Sequence, residues 1–179
     1  MHEISTIVVT KVASEKLDTI LDQIVAIYRE SWLETYPNDE LGITKEDLQS
    51  NFTDMEQVTT EWRGKIKSEA RKVFIAQEGA ELIGFCVIKF SEEHNELEYI
   101  YLLPRCTGNG VGKKLMEPAL AALGNQKPIE LFGAAYNKTA IGFYKKYGFE
   151  LTDDQLDPKP LANGKELPTM RMVKPAATS

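Results

Sequence analysis

Apolar positions along this chain follow two rhythms, and one gives way to the other near Val73. Before it, "ISTIVVTKV" (residues 4–12) is β-branched and reads as a strand. From about Glu15, the residues Leu17, Ile20, Leu21, Ile24, Ile27 and Tyr28 recur at the spacing of one helix face. Ser14 stands where the N-cap belongs. "ESWLETYPNDELG" breaks that helix, because Pro37, Asn38, Asp39 and Gly42 are turn formers. Thr44 followed by Asp47 marks a new helix start, and "EQVTTEWRGKIKSEARK" continues helical with Gly64 as its weak point.

Beyond Val73 the pattern turns to strands. "VFIAQ" and "ELIGFCVIKF" read as two strands joined across "EGA", a three-residue hairpin loop. After the polar turn "SEEHNE", "LEYIYLLP" is apolar on both faces, which predicts a central strand. A glycine-rich loop follows, then a helix over residues 111–123 in which Pro118 predicts a kink or a restart. "IELFGAA" is a further strand. "NKTAIGFYKKYG" is a short helix with Ala140, Phe143, Tyr144 and Tyr147 on one face, Asn137 as its cap and Gly148 at its end. "FELT" and "TMRMV" close the sheet around a polar loop, residues 153–166. The expected fold class is α/β (α+β): a mixed, mostly antiparallel central sheet flanked by helices, in one domain over residues 1–179 with its core at 4–173.

Length and composition leave this picture standing. A chain of 179 residues without repeats or a flexible linker fits one domain burying roughly 70% of its unfolded surface. No apolar run approaches the roughly 20 residues of a membrane span, and "MHEISTIVVT" lacks the build of a secretory signal. Cys86 and Cys106 form neither a disulfide framework nor a metal spacing, so a reducing, cytoplasmic setting without metal is expected. A net charge of −6 argues against a duplex nucleic-acid partner and mildly favours a cationic small molecule or peptide. No membrane partner is expected, and a homodimer stays open.

The chemistry concentrates in "RCTGNGVGKK" (residues 105–114). Glycines let backbone amides approach a ligand, and a helix starting there points unpaired N–H groups at an anion, which suits phosphate. Spacing separates the known loops. A Walker A loop would need glycine at Thr107 and a hydroxyl residue at Lys114. A dinucleotide fingerprint would need its third glycine at Lys113 or Leu115. Both fail, and a glycine turn without a ligand is the bland alternative.

What remains is a strand ending in Leu-Leu-Pro, a loop Gly-x-Gly-x-Gly, and lysines in the first helical turn. This resembles the GNAT superfamily of acyl-CoA-dependent N-acyltransferases. Its signature, approximately V-x-P-x-x-[RQ]-G-x-G-[IV]-G-x-x-L, is matched by Leu102, Pro104, Gly108, Gly110, Val111, Gly112 and Leu115. A second block, roughly N-x-x-A-x-x-[FL]-Y-x-x-x-G-F, is matched by Asn137, Ala140, Phe143, Tyr144, Gly148 and Phe149. "ESWLETYPNDELGITKEDL" is loosely similar to the first-helix region of spermidine/spermine acetyltransferase-like members. One departure is Thr107, which stands where the family has Arg or Gln.

The resemblance implies a GNAT fold that transfers an acetyl group from acetyl-CoA to a primary amine. The amine could be a polyamine, a peptide or protein amine, or a small metabolite. A non-catalytic module that binds or senses acyl-CoA is the alternative. It implies that the amides of Gly108, Asn109, Gly110, Gly112 and Lys113 cradle the pyrophosphate, beside Val111. Arg105, Lys113 or Lys114 would supply the charge that Thr107 lacks. Main-chain groups of Ile100, Tyr101 and Leu102 would pair with the pantetheine arm like an added strand, with Asn137 and Tyr144 on the same cofactor.

Amide formation needs a neutral amine and a stabilised thiolate. An amine with pKa about 10.4 is neutral about once in 2,500 molecules at pH 7, a penalty of roughly 4.6 kcal/mol. The resemblance implies Tyr144 as proton donor to the thiolate; on periodicity alone it is a core tyrosine. Glu98, on the central strand with Ile100 and Leu102 on its face, is the candidate base, with a structural ion pair as the other reading. Tyr28, Trp32, Glu34 and Tyr36 are the candidates to hold an ammonium group, set against aromatic core plus surface acids. Cys106 has no histidine near it in sequence to activate it as a nucleophile.

Overall fold

The computed structural model describes residues 6–177. Seven strands form one sheet in the order β1-β2-β3-β4-β5-β9-β6. They are β1 (Ile7–Lys11), β2 (Arg71–Glu78), β3 (Glu81–Lys89), β4 (Asn95–Leu102), β5 (Ile129–Ala134), β6 (Glu150–Leu151) and β9 (Thr169–Lys174). All neighbours run antiparallel except β4 and β5. The expected fold class is therefore what the chain adopts, and "LEYIYLLP" is its middle strand. The first residues of the strand expected at 4–12, Ile4 and Ser5, lie outside the described residues.

Helices cover both faces. Phe85 on β3 meets Trp62 of α3 (Met55–Ile66) at 5.4 Å between ring centres, beside α1 (Leu17–Thr35). Its neighbour Gly84 points the other way, against Leu115 of α4 (Val111–Leu123). Successive strand residues face opposite sides, so one apolar strand serves two helical layers.

Several helix boundaries differ from the sequence reading. Ser14 does not cap α1: it opens a short 3₁₀ turn, and the N-cap position is Lys16 without a side-chain bond. The helix runs on through "ESWLET" because Trp32 and Leu33 are buried, and it stops before Pro37. Thr44 and Asp47 do form a reciprocal capping box, on the short α2 (Lys45–Gln49). The expected continuous helix is instead two, because Asp54 accepts from the Gln57 amide and starts α3 afresh; α3 ends at Ile66. The β2–β3 hairpin has a two-residue turn, Gly79 and Ala80, since Glu78 pairs with Glu81 and Gly79 supplies φ 62°. α4 passes through Pro118 without interruption, held by its buried Leu115, Met116, Ala119 and Leu123. Within the polar loop, β7 (Lys159–Pro160) and β8 (Glu166–Leu167) form a small hairpin that no periodicity announced.

Two irregularities shape the middle of the sheet. β4 and β5 pair only at Asn95–Ile129 and Glu96–Glu130. Beyond those pairs they diverge and open a wedge. Its base is pinned: the Asn95 amide donates to the Pro128 carbonyl at 2.8 Å, and its side-chain Nδ2 donates to Leu123 at 3.0 Å. Buried Glu130 accepts from the Arg171 guanidinium on β9. The second irregularity is a bulge. Val87 pairs with Tyr99 and Ile88 with Leu97, which leaves Glu98 as the extra residue.

Where the middle strands approach α4, space is tight. A methyl group on Gly84 would lie 2.6 Å from Leu102 Cδ2 and 3.1 Å from the Tyr101 carbonyl. Gly84→Ala is therefore expected to destabilise the protein by roughly 1–3 kcal/mol, as overpacking does. Denaturant unfolding checks this: the midpoint falls while the slope is unchanged.

Candidate active site

The glycine loop leaves the C-terminal end of β4. Pro104–Cys106 make one 3₁₀ turn, with the Cys106 amide donating to the Leu103 carbonyl at 2.8 Å. Gly108 and Gly110 then take φ of 83° and 80°, a left-handed conformation that L side chains resist. The first bond of the helix runs from the Lys114 amide to the Gly110 carbonyl at 3.1 Å. The amides of Val111, Gly112 and Lys113 belong to the first turn and have no intrahelical acceptor. Gly112 serves a different purpose. A methyl group there would lie 3.4 Å from the Phe143 ring, so this glycine seats α5 (Lys138–Lys145) against the loop.

Charge around the loop is partly committed. Arg105 pairs with Glu81 at 2.6 Å, Lys113 with Glu117 at 3.7 Å, and Lys114 donates to the Ile7 carbonyl at 3.1 Å. Thr107 closes the 3₁₀ turn through its own amide. Cys106 is buried and its thiol is pushed up by desolvation, which suits packing better than nucleophilic attack.

Between β4 and β5 the wedge encloses a cleft of about 110 Å³. β4 contributes Glu98, Tyr99, Ile100 and Tyr101; β5 contributes Phe132, Gly133 and Ala134. From α5 come Asn137, Ala140 and Tyr144, and from α1 come Ser31, Thr35 and Tyr36. Asn137 Oδ1 accepts from the Ala140 amide at 3.1 Å, which starts α5 and presents Tyr144 two turns along the same face. Desolvation pushes the Tyr144 phenol above the ordinary tyrosine range, so it stays protonated and can donate. Because β4 and β5 have parted, the main-chain groups of β4 that face the cleft have no strand partner.

Two candidates sit otherwise than the sequence led us to expect. The bulge breaks the alternation of β4, so Glu98 does not share a face with Ile100 and Leu102. It turns to Arg71, whose Nε and Nη2 donate to its two oxygens at 2.5 and 2.7 Å in a mostly buried pair. Glu34 points away from the cleft altogether. It pairs with Lys45 and lines a larger groove of about 680 Å³ on the other side of α1, with Asp22, Arg29 and Glu30.

Tyr28, Trp32 and Tyr36 belong to one aromatic wall behind the cleft. Tyr28 lies 5.5 Å from Trp32, 4.8 Å from Trp62 and 5.3 Å from Tyr101 between ring centres. Trp32 stands 5.0 Å from Tyr36 and donates its indole N–H to the Tyr101 hydroxyl at 3.1 Å. Only Tyr36 of the three reaches the cleft. Burial raises the Tyr36 and Tyr101 phenols, and pushes Tyr99 up to about 12. Two cations face this wall. Lys159 Nζ lies 4.4 Å over the Trp32 ring, and Lys65 Nζ lies 5.5 and 5.8 Å over Trp62 and Tyr99. Lys159 and Arg71 carried no signal in the sequence, because each meets its partner only through the folded hairpin or sheet; Lys65 shares α3 with Trp62, three residues before it, and meets Tyr99 only in the fold.

Comparison with known proteins accords with this geometry. The family model described as the acetyltransferase (GNAT) family matches residues 21–149. The spermidine N(1)-acetyltransferase of Thermoplasma acidophilum is 27% identical over 154 residues, spanning 83% of this chain and 91% of that protein. Among solved structures, the PaiA N-acetyltransferase of T. acidophilum in complex with coenzyme A superposes with a TM-score of 0.64. It has 24% identity and covers 95% of this chain and 99% of its own. The ribosomal-protein-S18-alanine N-acetyltransferase of Escherichia coli gives a TM-score of 0.63 at 17% identity, with 97% and 96% covered. With the match spanning most of its length, this chain belongs to the GNAT acetyltransferase family.

Proposed function

We propose that this chain transfers an acetyl group from acetyl-CoA to a primary amine by direct attack, without an acyl-enzyme. The observation that carries the reading is the wedge itself. A strand edge free to pair and a protonated phenol line one cleft, and the turn with left-handed glycines leaves the end of that same strand. Those groups fit the parts of coenzyme A in order. The amides of Gly108 and of residues 110–113 suit a pyrophosphate, although that of Asn109 donates to the Cys106 carbonyl at 3.4 Å; the β4 edge suits the amide-bearing pantetheine arm, and Tyr144 suits the thiol end. Bound acetyl-CoA supplies the activated acyl group.

The chain's own groups do the rest. The cleft holds the amine in its neutral form by excluding water. As the nitrogen–carbon bond forms and the carbon–sulfur bond breaks, Tyr144 gives its proton to the departing sulfur and recovers one from solvent. Glu98, fixed by Arg71, accepts the proton released by the amine through a water. Lys113 and the first-turn amides face the pyrophosphate in place of the family's Arg or Gln at Thr107. The absence of a side-chain cation at Thr107, with Arg105 held by Glu81, favours one second reading, a module that binds acyl-CoA without turnover.

Calorimetry with acetyl-CoA followed by a thiol-release assay over an amine panel separates the two readings. Turnover is expected; binding without turnover on any amine would establish the sensor. Tyr144→Phe should lower kcat roughly 100-fold with the KM for acetyl-CoA little changed. Since desolvation holds this phenol above its ordinary value, the pH–rate profile should rise with amine deprotonation and show no descending limb below pH about 10.

The Arg71–Glu98 pair gives a separate test. Arg71→Met leaves a mostly buried carboxylate without its partner and should cost roughly 3–5 kcal/mol of stability. Adding Glu98→Leu should recover most of that stability but not the activity. If the double variant regains wild-type rates, Glu98 is a structural group and the base role is wrong.

A further inference from the structure

Main-chain bonding along β5 alternates between its two neighbours. The Ala135 amide donates to the Pro168 carbonyl at 2.9 Å, so the odd-numbered residues of β5 turn their N–H and C=O to β9. The Asn95 amide donates to the Pro128 carbonyl at 2.8 Å, so the even-numbered ones turn theirs to β4. That second ladder ends at Glu96 and Glu130. Phe132 is the next even residue, and its N–H and C=O both face the cleft it lines, without a ladder partner. Its ring falls on the face of Ala134, which packs with Trp32 and Leu33 of α1, and is 49% exposed. On the opposite lip, two residues past Glu96, is Glu98, the one charged side chain among those lining the cleft.

We propose that the acceptor is an α-amino carbonyl compound, an amine with a neutral carboxamide on the adjacent carbon, held by the main chain of Phe132. This rests on the acetyl-transfer reading and names the class of amine it uses. One amine N–H donates to the Phe132 carbonyl, and the adjacent carbonyl accepts from the Phe132 N–H, as two residues do in a bonded antiparallel pair. The nitrogen lone pair is left free for the thioester carbon. The second amine N–H is left on the side of Glu98. In such a pair the two side chains share a face, so the acceptor's side chain lies along the Phe132 ring, which favours an apolar one. A diamine brings no carbonyl and leaves the Phe132 N–H unpaired. A free amino acid brings a carboxylate to a cleft that no cationic side chain lines.

The test follows thiol release from acetyl-CoA, with rates referred to the neutral amine. The acceptors are alaninamide, isopropylamine (a methyl in place of the carboxamide), alanine, 1,3-diaminopropane, phenylalaninamide and trialanine amide. For the full chain, kcat/KM is expected to be at least about tenfold higher for alaninamide than for isopropylamine, alanine or the diamine. Trialanine amide above alaninamide would identify a peptide terminus as the source of the group, and equality a free amide. Phe132→Pro removes the N–H without taking a bond from β9 and should bring the alaninamide-to-isopropylamine ratio to about one. Phe132→Ala keeps the N–H and should keep that ratio, while losing the preference for phenylalaninamide over alaninamide. Isopropylamine or the diamine turned over as well as alaninamide would overturn the assignment, and so would a ratio unchanged in the proline variant. Should the proline variant fail to bind coenzyme A in calorimetry, the ratio in the full chain decides alone. No turnover of any amine, with coenzyme A still bound, would instead overturn the acetyl-transfer reading beneath it.

Discussion

Two neighbouring parallel strands that stop bonding after two residue pairs set the terms for everything else in this molecule. Hydrogen-bonded strands lie about 4.8 Å apart and leave no room for a ligand. Once β4 and β5 part beyond Glu96 and Glu130, each carries main-chain donors and acceptors with no sheet to satisfy them. Such an edge is costly in a closed interior and useful only if something extended can lie along it. The separation is held from below. Asn95 bonds Pro128 and the end of α4, and Arg171 clamps Glu130 from β9, so the opening has a fixed root rather than a loose one.

The glycines make sense from that opening. Gly108 and Gly110 turn the chain from β4 into α4 with left-handed backbone angles that a side chain would resist. Gly112 lets the Phe143 ring come close enough to tie α5 to the loop. Through that contact the glycine turn and the Tyr144-bearing helix pack directly on one another. Packing, rather than any bond between functional groups, sets their relative placement.

Much of this was legible in the chain. Alternation and length gave the strands, the Thr44–Asp47 and Asn137 caps gave helix starts, and glycine spacing excluded two phosphate loops and pointed to a third. The errors have physical causes. Ser14 looked like a cap, but a 3₁₀ turn came between it and the helix. Pro118 looked like a break, but buried neighbours on α4 carry the helix through it. Glu98 was assigned a face by strict alternation, and one bulge residue reversed it. Arg71 and Lys159 were unreadable in principle, because local sequence does not encode which distant ring or carboxylate a basic side chain will meet.

The small β7–β8 hairpin that carries Lys159 is fastened chiefly to α2 and the turn after it. Asp47 on α2 accepts from Lys165 and Asn163, Asn51 accepts from the Ala162 amide, and Leu161 and Leu167 pack with Leu48 and Phe52. Nothing in that fastening involves the glycine turn or α5. Substitutions at the tip of this appendage can therefore leave both its anchor on α2 and the packing between α5 and the glycine turn in place.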